Sequence, residues 1–69
     1  MEEFRLKDDH IKLGQVLKAL NLVSSGSEAK MVIQDGQVCV NGQVDTARGR
    51  KLFPGDEITF DGKTVRIAK

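Results

Sequence analysis

Three dipeptides, Asn41-Gly42, Pro54-Gly55 and Asp61-Gly62, punctuate the second half of the chain and constrain its fold more than any other feature. Asn-Gly and Asp-Gly are the residue pairs that accept positive φ at both centres of a tight turn, so each predicts a two-residue β-hairpin. Val38, Val40 and Val44 flank the first pair, while Ile58 and Phe60 stand across Asp61-Gly62 from Val65 and Ile67. Their alternation with polar residues is the period of a half-buried strand. Between the hairpins, Pro54 fixes φ and Gly55 is free to take the opposite sign, which predicts a further turn.

The first half has a different period. Glu3-Phe4-Arg5-Leu6-Lys7 alternates, predicting a strand with Phe4 and Leu6 inward. After the polar break Asp8-Asp9-His10, residues Leu13, Val16, Leu17 and Leu20 fall on one side of a helix, predicted over about residues 12–21. Asp8 and Asp9 read as carboxylates favouring the positive end of that helix. Ser24-Ser25-Gly26-Ser27 breaks the pattern, and Ser25 with Glu28 forms a capping box for a second helix beginning near Gly26. Its buried face is Ala29, Val32 and Ile33, and Gly36 ends it in the left-handed conformation. Helices this short are marginal alone, so both must pack on the sheet that follows. The expected fold class is α+β: two short helices on a small, mostly antiparallel sheet.

With 69 residues there is room for one domain, spanning 1–69. Cys39 is the single cysteine and has no partner within the chain, which fits a reducing, cytoplasmic setting better than a disulfide framework. No long apolar run and no cleavable leader is evident in the first half, so no membrane association is expected.

Catalytic chemistry finds few candidates. His10 is the only histidine and falls in a polar break, where it reads as a solvent-exposed side chain. Cys39 lacks the further soft ligands a zinc site needs. The serines at 24, 25 and 27 lack the spaced glycines and the lysine of a phosphate-binding loop. The reading is therefore a chain with no catalytic residues, no metal site, no cofactor and no small-molecule substrate.

The distribution of cations is more informative than their total. Eleven Lys and Arg against ten Asp and Glu leave a formal charge of only +1. Yet Arg48, Arg50 and Lys51 crowd one connection, and no acidic residue interrupts positions 46–55. Gly49 between the arginines leaves the backbone free to bring both guanidiniums to bear on phosphates. At the entrance to the second helix, Ser25, Gly26 and Ser27 expose backbone N–H groups at the positive end of a dipole, with Lys30 one turn on. Aromatic stacking is poorly supplied: the chain has Phe4, Phe53 and Phe60 and neither Tyr nor Trp. Phe4 and Phe60 read as core, and Phe53 as core or partly exposed.

Four runs in this order resemble the S4 RNA-binding domain: Ile11-Lys12-Leu13-Gly14-Gln15-Val16-Leu17; Ser24-Ser25-Gly26-Ser27-Glu28-Ala29-Lys30; Ile33-Gln34-Asp35-Gly36-Gln37-Val38-Cys39-Val40-Asn41-Gly42; and Pro54-Gly55-Asp56-Glu57-Ile58. The short length and Arg48-Gly49-Arg50-Lys51 bring the chain nearest to the stand-alone bacterial members. The resemblance implies an S4-like, or αL, motif whose two helices and following hairpin present an L-shaped surface to structured RNA. It implies Ser27, Lys30 and Asn41, with Arg48, Arg50 and Lys51 of the basic loop, as the RNA-binding residues. Gly26 stands where many S4 domains carry arginine, although the small stand-alone members often have glycine there. The partner implied is structured RNA, ribosomal RNA or a ribosomal particle, bound by a non-enzymatic factor in ribosome assembly or translation. The rival reading is a protein-interaction module that keeps the fold and docks another protein through the sheet face or the basic loop. Spatial arrangement separates the two: Lys30 and the loop on one face free of carboxylates favours RNA, while pairing by Asp45, Asp56 or Glu57 favours a protein.

Overall fold

In the computed structural model, which describes residues 2–69, the elements are β1 (Glu2–Arg5), β2 (Ile11–Lys12), α1 (Leu13–Ala19), α2 (Gly26–Gln34), β3 (Val38–Val40), β4 (Gln43–Val44), β5 (Lys51–Leu52), β6 (Glu57–Phe60) and β7 (Lys63–Ala68). The turn dipeptides stand where the sequence places them. Asn41 (φ 52°) and Gly42 (φ 84°) form the two-residue connection that brings Val40 opposite Gln43. Asp61-Gly62 does the same for Phe60 and Lys63. At Pro54-Gly55 the Asp56 N–H donates to the Phe53 carbonyl at 3.0 Å, closing a four-residue turn.

These hairpins build a five-stranded sheet in the order β1-β7-β6-β3-β4. The central pairings are antiparallel, and β1 joins at the edge parallel to β7, with Phe4 opposite Ile67. A second, two-stranded sheet pairs β2 with β5. Leu13, Val16 and Leu17 of α1, Ala29 and Ile33 of α2, and Val38, Val40, Ile58, Val65 and Ile67 of the sheet form one buried cluster with Val23 and Leu52. Phe4, Leu6 and Phe60 pack on its margin, half-buried.

Three differences from the sequence reading have physical reasons. Helix α1 is shorter than the predicted 12–21, because Lys12 is held as strand by β5 and Asn21 turns the chain with φ 58°. Asp8 and Asp9 consequently lie outside its first turn, which contains no acidic residue. The capping of α2 is displaced by one residue. The Ser25 hydroxyl accepts from the Glu28 N–H at 3.1 Å as expected, but the Glu28 carboxylate reaches back to the N–H and hydroxyl of Ser24, at 2.6 and 2.8 Å. At the far end, Gly36 N–H donates to the Ile33 carbonyl and Gln37 N–H to that of Val32, the reciprocal pairing of a Schellman cap, with Gly36 at φ 79°.

Two outcomes follow from this geometry. Gly42→Val places a β-branched side chain in the left-handed region and should destabilise the domain by about 1–3 kcal/mol, read as a lower melting temperature with lost amide protection at the β3–β4 ladder. The hydrogen bonds from Ser24 hold the Glu28 carboxyl below its ordinary pKa. A lowered folded-state pKa stabilises above the unfolded value and is lost as pH falls through the folded one. Glu28→Gln should therefore melt earlier than the parent at neutral pH, and the gap should close in acid below the usual glutamate range.

Candidate nucleic-acid interface

The basic loop is fastened to the start of α1 by backbone. Lys12 pairs with Lys51 and Ile11 with Leu52 across β2 and β5, and the ladder continues as Leu13 N–H donates to the Arg50 carbonyl (2.9 Å) and Gly14 N–H to the Arg48 carbonyl (3.1 Å). Strand β5 therefore presents Lys51 outward while Leu52 is fully buried. Burying one leucine contributes roughly 1.5–3 kcal/mol, enough to anchor so short a strand. The Arg50 N–H in turn donates to the Ala47 carbonyl at 3.0 Å, so Arg48 and Gly49 are the tip of a turn.

This arrangement opens a cleft of about 370 Å3 lined by Lys12, Gly14, Gln15, Lys18, Gly26, Ala29 and Arg48. Three cations and no carboxylate line it. The first N–H groups of α1 are engaged by the loop carbonyls, so the positive character of the cleft comes from side chains. The register adds a fourth charge: Lys51 is directly opposite Lys12, and like charges at opposed positions of an antiparallel pair repel. An anion between them removes that penalty.

Charge pairing is uneven over the molecule. Among the described residues, the ion pairs are Arg50–Asp45, Arg66–Glu57 (3.1 Å), Lys63–Glu2 (3.9 Å) and Lys69–Asp9 (3.9 Å). Lys12, Lys18, Lys30, Arg48 and Lys51 are exposed and take part in none of them.

The residues singled out in the sequence are partly assembled by this geometry. Arg48 enters the cleft and Lys51 stands beside it. Lys30 lies one turn beyond Gly26 along α2, on the same flank. Ser27 is exposed in the first turn of α2, next to that flank. Arg50 is diverted: its guanidinium is held by Asp45, whose other oxygen accepts from the Ala47 N–H at 2.9 Å. The two arginines thus do not act on one spot, contrary to the expectation drawn from Gly49. Asn41 is occupied by the fold. Its side-chain oxygen accepts from the Glu57 N–H at 2.9 Å and its amide nitrogen donates to Asp56 at 3.1 Å, locking the β3–β4 turn to the start of β6.

Lys12, Gln15 and Lys18 escaped the sequence reading. Lys18 is i+4 from Gly14 on the face of α1 opposite its leucines, a placement visible in the helical period. The Lys12–Lys51 pairing joins positions so distant in the chain that no local signal marks it.

Comparison with known proteins identifies the family. A family model described as S4 domain matches residues 4–68. The chain belongs to the S4 domain family. This S4 domain is 42% identical over 52 residues to the probable ribosome maturation protein RlbA of Bacillus subtilis (strain 168), covering 75% of this chain and 73% of that protein. It is 36% identical over 61 residues to the putative RNA-binding protein YbcJ of Escherichia coli (strain K12), covering 88% and 87% respectively. The solution structure of YbcJ, described as having an αL motif involved in RNA binding, matches with a TM-score of 0.75 over all of this S4 domain and 89% of that chain, at 36% identity. The 30S ribosomal protein S4e of Thermoplasma acidophilum shares the fold, with a TM-score of 0.71, 24% identity, and coverage of 87% of this chain and 32% of that one.

If Lys12 and Lys51 repel in the free protein, Lys51→Glu should stabilise the domain by up to about 1 kcal/mol. Melting curves at low and high salt check this, because screening should shrink the gain.

Proposed function

We propose that this protein binds structured RNA, ribosomal RNA or a ribosomal particle in particular, by gripping backbone phosphates in the cleft between α1, α2 and the basic loop. One observation carries the reading: Lys12, Lys18 and Arg48 line a carboxylate-free cleft beside Lys51, with every carboxylate that forms an ion pair engaged elsewhere. Phosphate contacts of this kind position a protein without reading sequence, and a cleft flanked by short helices suits the shape of folded RNA. The names of the relatives, one RNA-binding and one a ribosome maturation protein, support the same reading. Membership of the S4 domain family and the RNA-binding relative support binding rather than catalysis as the activity. Among the described residues no helix is long and apolar enough to cross a membrane, and a ribosomal partner would be met in the cytoplasm, where we expect the protein to act.

The Arg50–Asp45 pair favours the protein-docking alternative, since it withdraws a cation from the loop. Arg48, Lys51 and Lys30 are untouched by such pairing, so the cationic face stands without Arg50.

The test is a titration of labelled ribosomal RNA fragments at several salt concentrations. Each neutralised phosphate contributes roughly −0.7 to −0.9 to the log–log salt slope. Lys18→Ala with Arg48→Ala should weaken binding to many RNA sequences alike and flatten the slope by about one to two units, whereas Arg50→Ala should change it less. Lys30→Ala should also weaken binding without loss of stability. A gain is expected as well. A side chain added at Gly26 meets nothing within 4 Å, so Gly26→Arg should raise affinity at low salt and steepen the slope by about one contact. Unchanged affinity and slope in the Lys18/Arg48 double variant would reject the cleft.

A further inference from the structure

The exposed side of α1 carries two neighbouring stripes. Gly14 and Lys18 line the cationic cleft, Ala19 lines a second hollow, and Gln15 lines both. One side chain therefore separates the two. The second hollow measures about 490 Å3, a size typical of small-ligand sites. Its floor is apolar: Phe4, Leu6 and Ile11 pack on the core with one side and stay partly exposed on the other. Its rim is polar, with Arg5 and Lys7 as donors and Asp8 as an acceptor. His10 also lines it, its ring 5.9 Å from that of Phe53 and tilted by 45°, and Phe53 is 48% exposed.

An apolar floor invites a flat, poorly hydrated group, but the cationic rim and the opening toward the phosphate cleft ask that this group be joined to an anion. A protein segment with a bulky apolar residue satisfies the first condition, and the second only where an acidic side chain flanks it. A nucleotide satisfies both, because its base is a flat ring tethered to phosphate. Bases inside a double helix hide their faces in the stack, so the base that enters must be unpaired.

We propose that the hollow formed by Phe4, Leu6, Ile11 and Ala19 receives the base of an unpaired nucleotide, from a bulge or loop, while the adjoining backbone phosphate lies in the cleft across Gln15. The inference rests on the RNA reading above and narrows its target to helices interrupted by an extruded nucleotide. With both donors and an acceptor on the rim, the hollow accepts any base and confers shape recognition.

The experiment compares two RNA duplexes of equal length, one fully paired and one with a single bulged fluorescent adenine analogue. The unaltered protein should bind the bulged duplex about tenfold more tightly, a difference within the range a stacked base supplies, and the analogue's emission should change on binding. Ala19 is exposed at the end of α1 and leucine is nearly as good a helix former, so Ala19→Leu fills the hollow at little cost to the helix. It should abolish the preference and the emission change while leaving the paired duplex bound as before. Equal affinities with unchanged emission in the unaltered protein would overturn the proposal, as would a preference that persists in folded Ala19→Leu. Failure to bind either duplex would reject the RNA reading itself, and this inference with it. Because the emission measurement uses the unaltered protein, it decides even if the variant loses stability.

Discussion

The pairing of β2 with β5 is the interaction on which the rest of the arrangement depends. It joins two residues at the foot of α1 to two that follow the basic loop, and the ladder runs on through the first N–H groups of the helix. Those groups would otherwise be orphans of the helix end, and the loop carbonyls would otherwise face water. By satisfying each other they fix Arg48 over Gly14, where an added Cβ would already lie 3.6 Å from the Arg48 carbonyl oxygen. The loop thus has one place to sit, and its cations arrive at the flank of α1 by necessity. Leu52 supplies the apolar anchor, since a two-residue ladder on the surface of a small domain is weak by itself.

Local signals carried most of the fold into view. Asn41-Gly42 and Asp61-Gly62 are turns by their own backbone chemistry, and both take the positive φ that the residue types predict. Ser25 and Gly36 bracket α2 for equally local reasons. What escaped was non-local. The parallel pairing of β1 with β7 unites opposite ends of the chain, and alternation in Glu3–Lys7 marks a strand without naming its neighbour. Lys12 looked helical because Leu13 onward has a helical period, and the β5 ladder overrides that propensity.

The candidate site was legible only in part. Arg48 and Lys51 stood out because an uninterrupted basic run has no folding rationale. Arg50 stood out on the same grounds, yet its guanidinium closes onto Asp45, which the sequence places five residues away across a turn not evident locally. Asn41 illustrates the opposite ambiguity. A hairpin-tip asparagine reads equally as a ligand contact or a turn residue, and here its amide binds Glu57 and Asp56. Lys12 and Lys18 were hidden among ordinary solvated lysines, because the meaning of an exposed lysine lies in what surrounds it in space.

The clustered cations bear on stability as well as on binding. A domain this small has only about 3–5 kcal/mol of net stability, so a like-charge pair at Lys12 and Lys51 is a noticeable fraction of it. An anion bound there would offset that repulsion, since a ligand that binds only the folded state adds RT ln(1 + [L]/Kd), about 2.7 kcal/mol when present at a hundredfold excess over Kd. Among the described residues, Lys12, Lys18, Lys30, Arg48 and Lys51 stand without carboxylate partners on the α1, α2 and β5 side, whereas on the five-stranded sheet Arg66 and Lys63 have such partners and Arg5 does not. Charge on the sheet is partly neutralised within the chain; charge at the cleft is not. The same substitutions that would relieve the repulsion would remove the attraction for phosphate, so the free domain is held below the stability its fold could reach. On the proposed reading, folding and binding would be coupled through one pair of lysines, and the strand pairing that creates the cleft would be strengthened whenever the cleft is filled.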